Sequence, residues 1–305
     1  MSHKLISPER VDPGPEGFDT SPARVDPGLR ISPASFDRLA RLVTDELGIR
    51  MPESKVSMIQ SRLARRVRQL GLASIDDYCE RLFSSPWRES EQVHFLDALT
   101  TNKTDFFREP RHFDYLTETV LPQFTRPGRS PLDRSIAVWS AGCSTGEEPY
   151  TLAMVLSEYA AAHSPFDFGI LATDVSTKVL QTAQDGIYAE HLINPVPAAL
   201  RRKYLVRSTS EPPSVRIKTA LRRNVSFHRL NFMDADYRVR EMFDVIFCRN
   251  VLIYFDRPTQ QAVIGKLCRN LSPRGYLFIS HSESLNGLDL PLDSMGSSCF
   301  RKQDD

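Results

Sequence analysis

Apolar residues recur at helical spacing over the first third of the chain. Phe36, Leu39, Leu42, Val43 and Leu47 fall three and four apart, and Gly48 stops the run. A second helix is expected over about 54–70, with Ile59, Leu63, Val67 and Leu70 as its stripe and Gly71 as its stop. A third covers 75–83 and a fourth 89–99. No strand pattern interrupts them, so residues 34–100 read as a small all-α domain.

After about residue 130 the texture changes. Apolar, strand-like runs at 135–142, 168–174, 224–232, 243–250 and 275–282 alternate with helical segments at 147–162, 177–184 and 258–271. Such alternation implies a parallel sheet covered on both faces, an α/β Rossmann-like domain. The pattern breaks over about 188–223, where Pro195, Pro197, Pro212 and Pro213 surround one short strand candidate at 215–219. That stretch reads as a small β insertion. Residues 1–33 hold six prolines and a near-duplicated RVDPG, with little apolar content to offset ordering, and read as a disordered tail. The expected organisation is thus a tail (1–33), a helical domain (34–100), a linker helix (101–130) and an α/β domain (131–305).

Charge narrows the partners. Thirty-nine basic and 38 acidic residues leave a net charge of +1, so recognition of a charged partner must use a local patch. No apolar run reaches the ~18 residues of a membrane span. The N-terminus lacks the apolar core of a signal peptide. The five cysteines are odd in number, far apart and form no C-x-x-C pair. They suit a reducing cytoplasm better than a disulfide framework or a metal cluster.

The sharpest local signal is S-A-G-C-S-T-G-E-E-P-Y at 140–150, between a strand and a helix. Gly142 and Gly146 permit positive φ and close approach of backbone to a ligand. The helix start at Glu147 offers unpaired N–H groups. The loop is neither G-x-G-x-x-G nor a P-loop. Its plainer reading is a glycine turn. Asp174 closes the second strand, where an acid suits two ribose hydroxyls; its plainer reading is a helix cap. One ribose site without a pyrophosphate fingerprint favours S-adenosylmethionine over NAD.

Three long segments, A-L-T-T-N-K-T-D-F-F-R-E-P (98–110), the glycine loop, and F-D-V-I-F-C-R-N-V-L-I-Y-F (243–255), together with S-H-S-E-S (280–284), closely resemble the chemotaxis receptor methyltransferase (CheR) family. The resemblance covers about residues 34–300. It implies a methyltransferase domain with a β insertion behind a helical domain. The implied activity is transfer of a methyl group from S-adenosylmethionine to glutamates of chemoreceptor signalling domains. It implies cofactor contacts by Asn102, Thr104, Arg108, Gly142, Glu148, Asp174, Asn231, Phe232, Arg249 and Asn250, with Glu148 near the methionine amino group. Phe232 stands where the family has leucine, so a backbone contact is expected there. The implied setting is a cytoplasmic monomer recruited to membrane receptor arrays, with no nucleic acid, metal or membrane insertion.

A glutamate nucleophile, with a pKa of about 4.3, is already ionised at neutral pH and needs no general base. Alignment is what the enzyme must supply. Arg108 and Tyr254 are the candidates for it, Arg108 through its guanidinium fork and Tyr254 through one hydrogen bond. Their plainer readings are an ion pair with Asp105 or Glu109, and a core aromatic. His281 reads as structural, Cys143 and Cys248 as packing residues, and Met51, Met58 and Met154 as core.

Between Ser54 and Leu72 lie five cations and no acid. Arg62, Arg65, Arg66 and Arg68 could be a solvated helix face, an RNA patch without stacking aromatics, or, as the resemblance implies, the docking face for an acidic receptor bundle. The insertion is the family's dock for a receptor-tail peptide, but its loop at 207–214 lacks the glycines that go with tethering. Two other functions compete: a methyltransferase acting on RNA or a small molecule, and a non-catalytic cofactor-binding sensor.

Overall fold

A computed structural model describes residues 30–84, 86–125, 135–209, 211–296 and 298–304. Most of the expected tail lies outside these. Its end is ordered: Ile31 is buried with the helical core, and the Ser32 hydroxyl caps the first helix and donates to Asp76 at 2.9 Å.

Four helices form the first domain: α1 (Pro33–Leu47), α2 (Val56–Gln69), α3 (Ile75–Leu82) and α4 (Trp87–Leu99). The predicted stripes are the buried ones. Leu39, Val43, Ile59, Leu63, Val67, Tyr78 and Phe95 are completely covered in one apolar cluster. Gly48, in the left-handed region, ends α1 and returns its N–H to the Thr44 carbonyl. The expected linker helix is shorter than predicted. Residues 101–110 are irregular, and helix α5 (Arg111–Tyr115) starts only after Pro110, running on into a π-helical turn at Leu116–Val120.

The second domain is built on β1 (Ser135–Ala141), α6 (Glu147–Ala162), β2 (Asp167–Asp174) and α7 (Thr177–Asp185). The insertion adds β3 (Ile187–Ala189), α8 (Ala198–Tyr204), β4 (Leu205–Arg207), β5 (Ser214–Ile217) and α9 (Thr219–Arg222). Then follow β6 (Val225–Arg229), β7 (Phe243–Phe247), α10 (Arg257–Arg269), β8 (Leu271–Phe278), β9 (Leu292–Gly296) and β10 (Cys299–Lys302). The main sheet has the order β6-β2-β1-β7-β8-β10-β9. Its first five strands are parallel, and β10 and β9 close one side as antiparallel strands. The insertion is a separate antiparallel sheet, β3-β5-β4.

Both sheet faces are buried, as the continuous apolar strands require. In β7, Val245 and Phe247 face the cluster that holds Met154 of α6, while Ile246 faces the cluster that holds Ile264 of α10. The strand order reverses between β1 and β7. Ligands of doubly wound sheets sit above such a switch point, outside the carboxyl ends of the strands. No helix among the described residues is long and apolar enough to cross a membrane.

Candidate functional site

A cleft of about 340 Å³ opens at this switch point, within the size range of a small-molecule site. Its floor comes from the carboxyl ends of the central strands: Gly142 after β1, Asp174 at the end of β2, and Arg249 and Asn250 after β7. One wall comes from the helical domain, through Leu47, Met51 and Met58, and the irregular 101–110 segment crosses between the two. All ten residues expected to touch a cofactor line this cleft, and so does Tyr254.

The glycine loop works sterically. At Gly142, φ is +85°, and a Cβ would come within 2.6 Å of Val251 Cγ2. Gly146 has φ +97°, and a Cβ there would press on Ala183 and Tyr188. Neither position accepts a side chain without displacing its neighbours. Asp174 holds the loop: its carboxylate accepts the Ser144 N–H at 2.9 Å and the Ser176 N–H at 3.0 Å. Burial raises the Asp174 pKa, against the pull of these N–H groups. Ser176, not Asp174, caps α7. The Val175 N–H also donates to this carboxylate, so three of its roughly four lone-pair sites are taken by backbone.

Glu148 and Arg249 form the charged wall. Arg249 Nη1 donates to Glu148 Oε2 at 3.0 Å, and Ser140 Oγ donates to Glu148 Oε1 at 2.7 Å. The Arg249 side chain is 2% exposed, so this is a buried ion pair, anchored also by Nη2 on the Arg108 carbonyl. Behind it stands Glu109, 3.3 Å from Arg249 Nη2. Burial would raise the Glu109 pKa, but Arg249, the Ser280 hydroxyl, His112 and the His281 N–H together hold it below the usual range. Glu109 and His281 were not read from the sequence as part of this network. Glu109, His112 and His281 lie within metal-ligand reach of one another; the Glu109 charge is already paired with Arg249, and its oxygens accept from Ser280 Oγ and His281 N.

Several expectations are refined. Asn231 spends its side chain on the Glu46 carbonyl, at 2.6 Å, and on the Met233 N–H. It therefore ties the helical domain to the sheet domain. At Phe232, where a backbone contact is expected, the carbonyl already accepts from Lys266 and Tyr237, and the residue lines the cleft. Asn102 offers its carbonyl to Ser144 Oγ and its amide to Thr100. Arg108 donates to the Lys103 carbonyl at 3.1 Å, and among the described residues it forms no ion pair with Asp105 or Glu109. Cys143 and Cys248 are buried free thiols with pKa values pushed up by burial, consistent with packing. Met51 and Met58 are core-facing as expected, and they also line the cleft, a second role that periodicity alone does not reveal.

The basic helix divides. Arg65 and Arg68 are exposed. Arg66 instead makes a bidentate pair with buried Glu91, at 2.7 and 2.6 Å, which Tyr78 Oη also joins. Arg62 turns inward to the carbonyls of Leu99 and Thr100 and to Thr101 Oγ1 at 2.9 Å. Of the four arginines expected to dock a receptor, two are thus tied into the helical domain, because α4 and the residues after it bring acceptors against that side of α2.

Residues 102–300 match the CheR methyltransferase, SAM binding domain, and residues 34–100 match the CheR methyltransferase, all-alpha domain. The chain belongs to the CheR methyltransferase family. It is 37% identical to the chemotaxis protein methyltransferase of Borreliella burgdorferi, over 88% of this chain and 95% of that protein. It is also 37% identical to the chemotaxis protein methyltransferase of Escherichia coli, over 89% of this chain and 92% of that one. With chemotaxis protein methyltransferase 2 of Pseudomonas aeruginosa it shares 37% identity, over 87% of this chain and 90% of that one. The matched family domain is a SAM-binding one, so the cofactor is S-adenosylmethionine; residues of both matched domains line the cleft.

Proposed function

We propose that the protein transfers a methyl group from S-adenosylmethionine to glutamate side chains of a chemoreceptor signalling domain. The observation that carries this reading is the set of charges that line one cleft. Glu148 is paired with Arg249, and the Asp174 carboxylate stands at the end of β2. That set fits a zwitterionic amino-acid end and a ribose. The same lining carries Lys55, Lys103, Arg108 and Tyr254, with Asp105 as a further acid. Among the described lining residues there is no histidine or cysteine.

This arrangement suits a carboxylate acceptor. The bound sulfonium supplies an electrophilic methyl group. Glu148 and Arg249 hold the charged end, and the Asp174 carboxylate takes a ribose hydroxyl. Arg108 orients the incoming carboxylate through its fork, and Tyr254 adds one hydrogen bond. The carboxylate arrives ionised, so no residue must remove a proton. Alignment of this kind is worth roughly 7–11 kcal/mol of barrier. Arg65 and Arg68, exposed on α2, add positive charge that steers an acidic partner.

The test is methyl transfer from labelled S-adenosylmethionine to a chemoreceptor cytoplasmic fragment. Label on the receptor that base releases as methanol is expected, since a glutamyl methyl ester is base-labile. Cofactor binding without any transfer, across several receptor fragments, would instead favour a cofactor-binding sensor.

A further inference from the structure

We propose that Glu283 is a positioning residue for methyl transfer, its carboxylate fixing the loop that carries Tyr254 into the cleft. The proposal rests on the role given above to Tyr254. It is drawn from how the chain leaves β7. The strand ends at Phe247, and Tyr254 must turn back to the cleft within seven residues. Asn250 makes the reversal at φ +60°, a conformation that a non-glycine residue keeps only when its surroundings hold it. Leu252–Tyr254 then form a single 3-10 turn.

Such a reversal leaves backbone N–H groups outside any ladder, and each needs an acceptor. Glu283 supplies one for both segments that meet here. Its Oε2 accepts from Asn250 N at 3.1 Å and from Ser280 N at 2.7 Å, and its Oε1 accepts from Leu252 N at 2.8 Å. The carbonyl side of the same turn is held by Gln260, whose Nε2 donates to the Leu252 carbonyl at 2.9 Å and to the Phe255 carbonyl at 3.2 Å. Asn250 Nδ2 adds a bond to Ser280 Oγ at 2.7 Å. The turn is thus gripped from both sides by polar groups. Apolar packing holds the inner side of the turn through Leu252, 1% exposed, while Ile253, next to Tyr254, is 52% exposed.

An ionised carboxylate suits the task because it only accepts and has about four lone-pair sites. Glutamine of the same shape would turn an NH₂ group toward N–H donors. Aspartate would keep the anion but draw it back by one methylene. Both changes should let the turn shift while the cofactor wall, Glu148 with Arg249, stays in place.

Turnover on a receptor fragment, affinity for S-adenosylhomocysteine and melting temperature would be measured for Glu283→Gln, Glu283→Asp, Tyr254→Phe and the double variant Tyr254→Phe/Glu283→Gln. Misplacement of about 1 Å can cost on the order of 100-fold in rate. Glu283→Gln is therefore expected to lower kcat by about 10- to 100-fold, and Glu283→Asp by less, with cofactor affinity within about threefold of the parent. The double variant should be no slower than the slower single variant, as expected of two residues acting through one another. Glu283→Asp keeps the buried anion, and it decides the matter if Glu283→Gln does not fold. Equal losses in turnover and cofactor affinity, or additive losses in the double variant, would overturn the proposal while leaving Tyr254 its role. Full turnover by Tyr254→Phe would remove that role, and the proposal with it.

Discussion

Arg108 and Glu147 show how far single side chains can be read. Arg108 lines the cleft and is free of the ion pairs that its acidic neighbours in sequence suggested. If it orients the acceptor, Arg108→Ala should cut kcat by about 100-fold or more and change S-adenosylhomocysteine affinity by less than about threefold. Parallel losses in calorimetry and turnover would reduce it to a cofactor contact. Glu147, by contrast, faces away from the cleft. It is 4% exposed, and burial pushes its carboxyl up to about 7, against the Thr145 hydroxyl that donates to it. The folded protein therefore keeps a proton there that the unfolded chain releases above about 4.5. Its contribution to stability is full below that pH and is lost as pH rises through about 7. The difference is roughly 3 kcal/mol at most. Melting curves between pH 5 and pH 8 should fall less steeply for Glu147→Gln than for the parent; identical slopes would rule Glu147 out as the source.

At the scale of elements, α2 carries the clearest lesson. Its apolar stripe was legible because a helix repeats every 3.6 residues and core contact enforces the repeat. The fate of its arginines was not legible, because periodicity says which side is polar and not what lies opposite. Glu91 arrives from α4, at a distance along the chain that no local pattern reports. Arg66→Ala should thus destabilise the protein by about 3 kcal/mol, through the unpaired buried carboxylate left behind. Arg65→Glu with Arg68→Glu should leave the melting temperature within a degree or two of the parent and weaken receptor methylation, most of all at low salt. Unchanged methylation at low salt would remove α2 from the docking surface. Strands β3, β4, β9 and β10 escaped the sequence reading for a related reason. At three to five residues each they are too short for alternation to stand out, and pairing with neighbours is what makes them strands.

The whole molecule is two domains sharing one cleft. Asn231 reaches the Glu46 carbonyl, Thr177 reaches Asp97, and Gly48 packs on Met233. Residues from both domains line the site, so cofactor binding should stiffen both. Hydrogen exchange with S-adenosylhomocysteine present should show added protection at 47–58 as well as at 142–148. Protection confined to the second segment would mean that the helical domain does not close on the cofactor.

The sequence by itself determined the order and kind of the long elements, because burial imposes periods that the chain must carry. It also determined the glycines of the β1–α6 loop and the motif residues of the cleft, because backbone approach and charge demand particular side chains at particular strand ends. Tertiary structure alone decided which arginines of α2 are free, that Glu109 stands behind Arg249, that Glu283 gathers three N–H groups from two loops, and that Met51 and Met58 wall the site. Each of these depends on groups far apart in the chain meeting in space. Only the packing of one element on another sets that meeting.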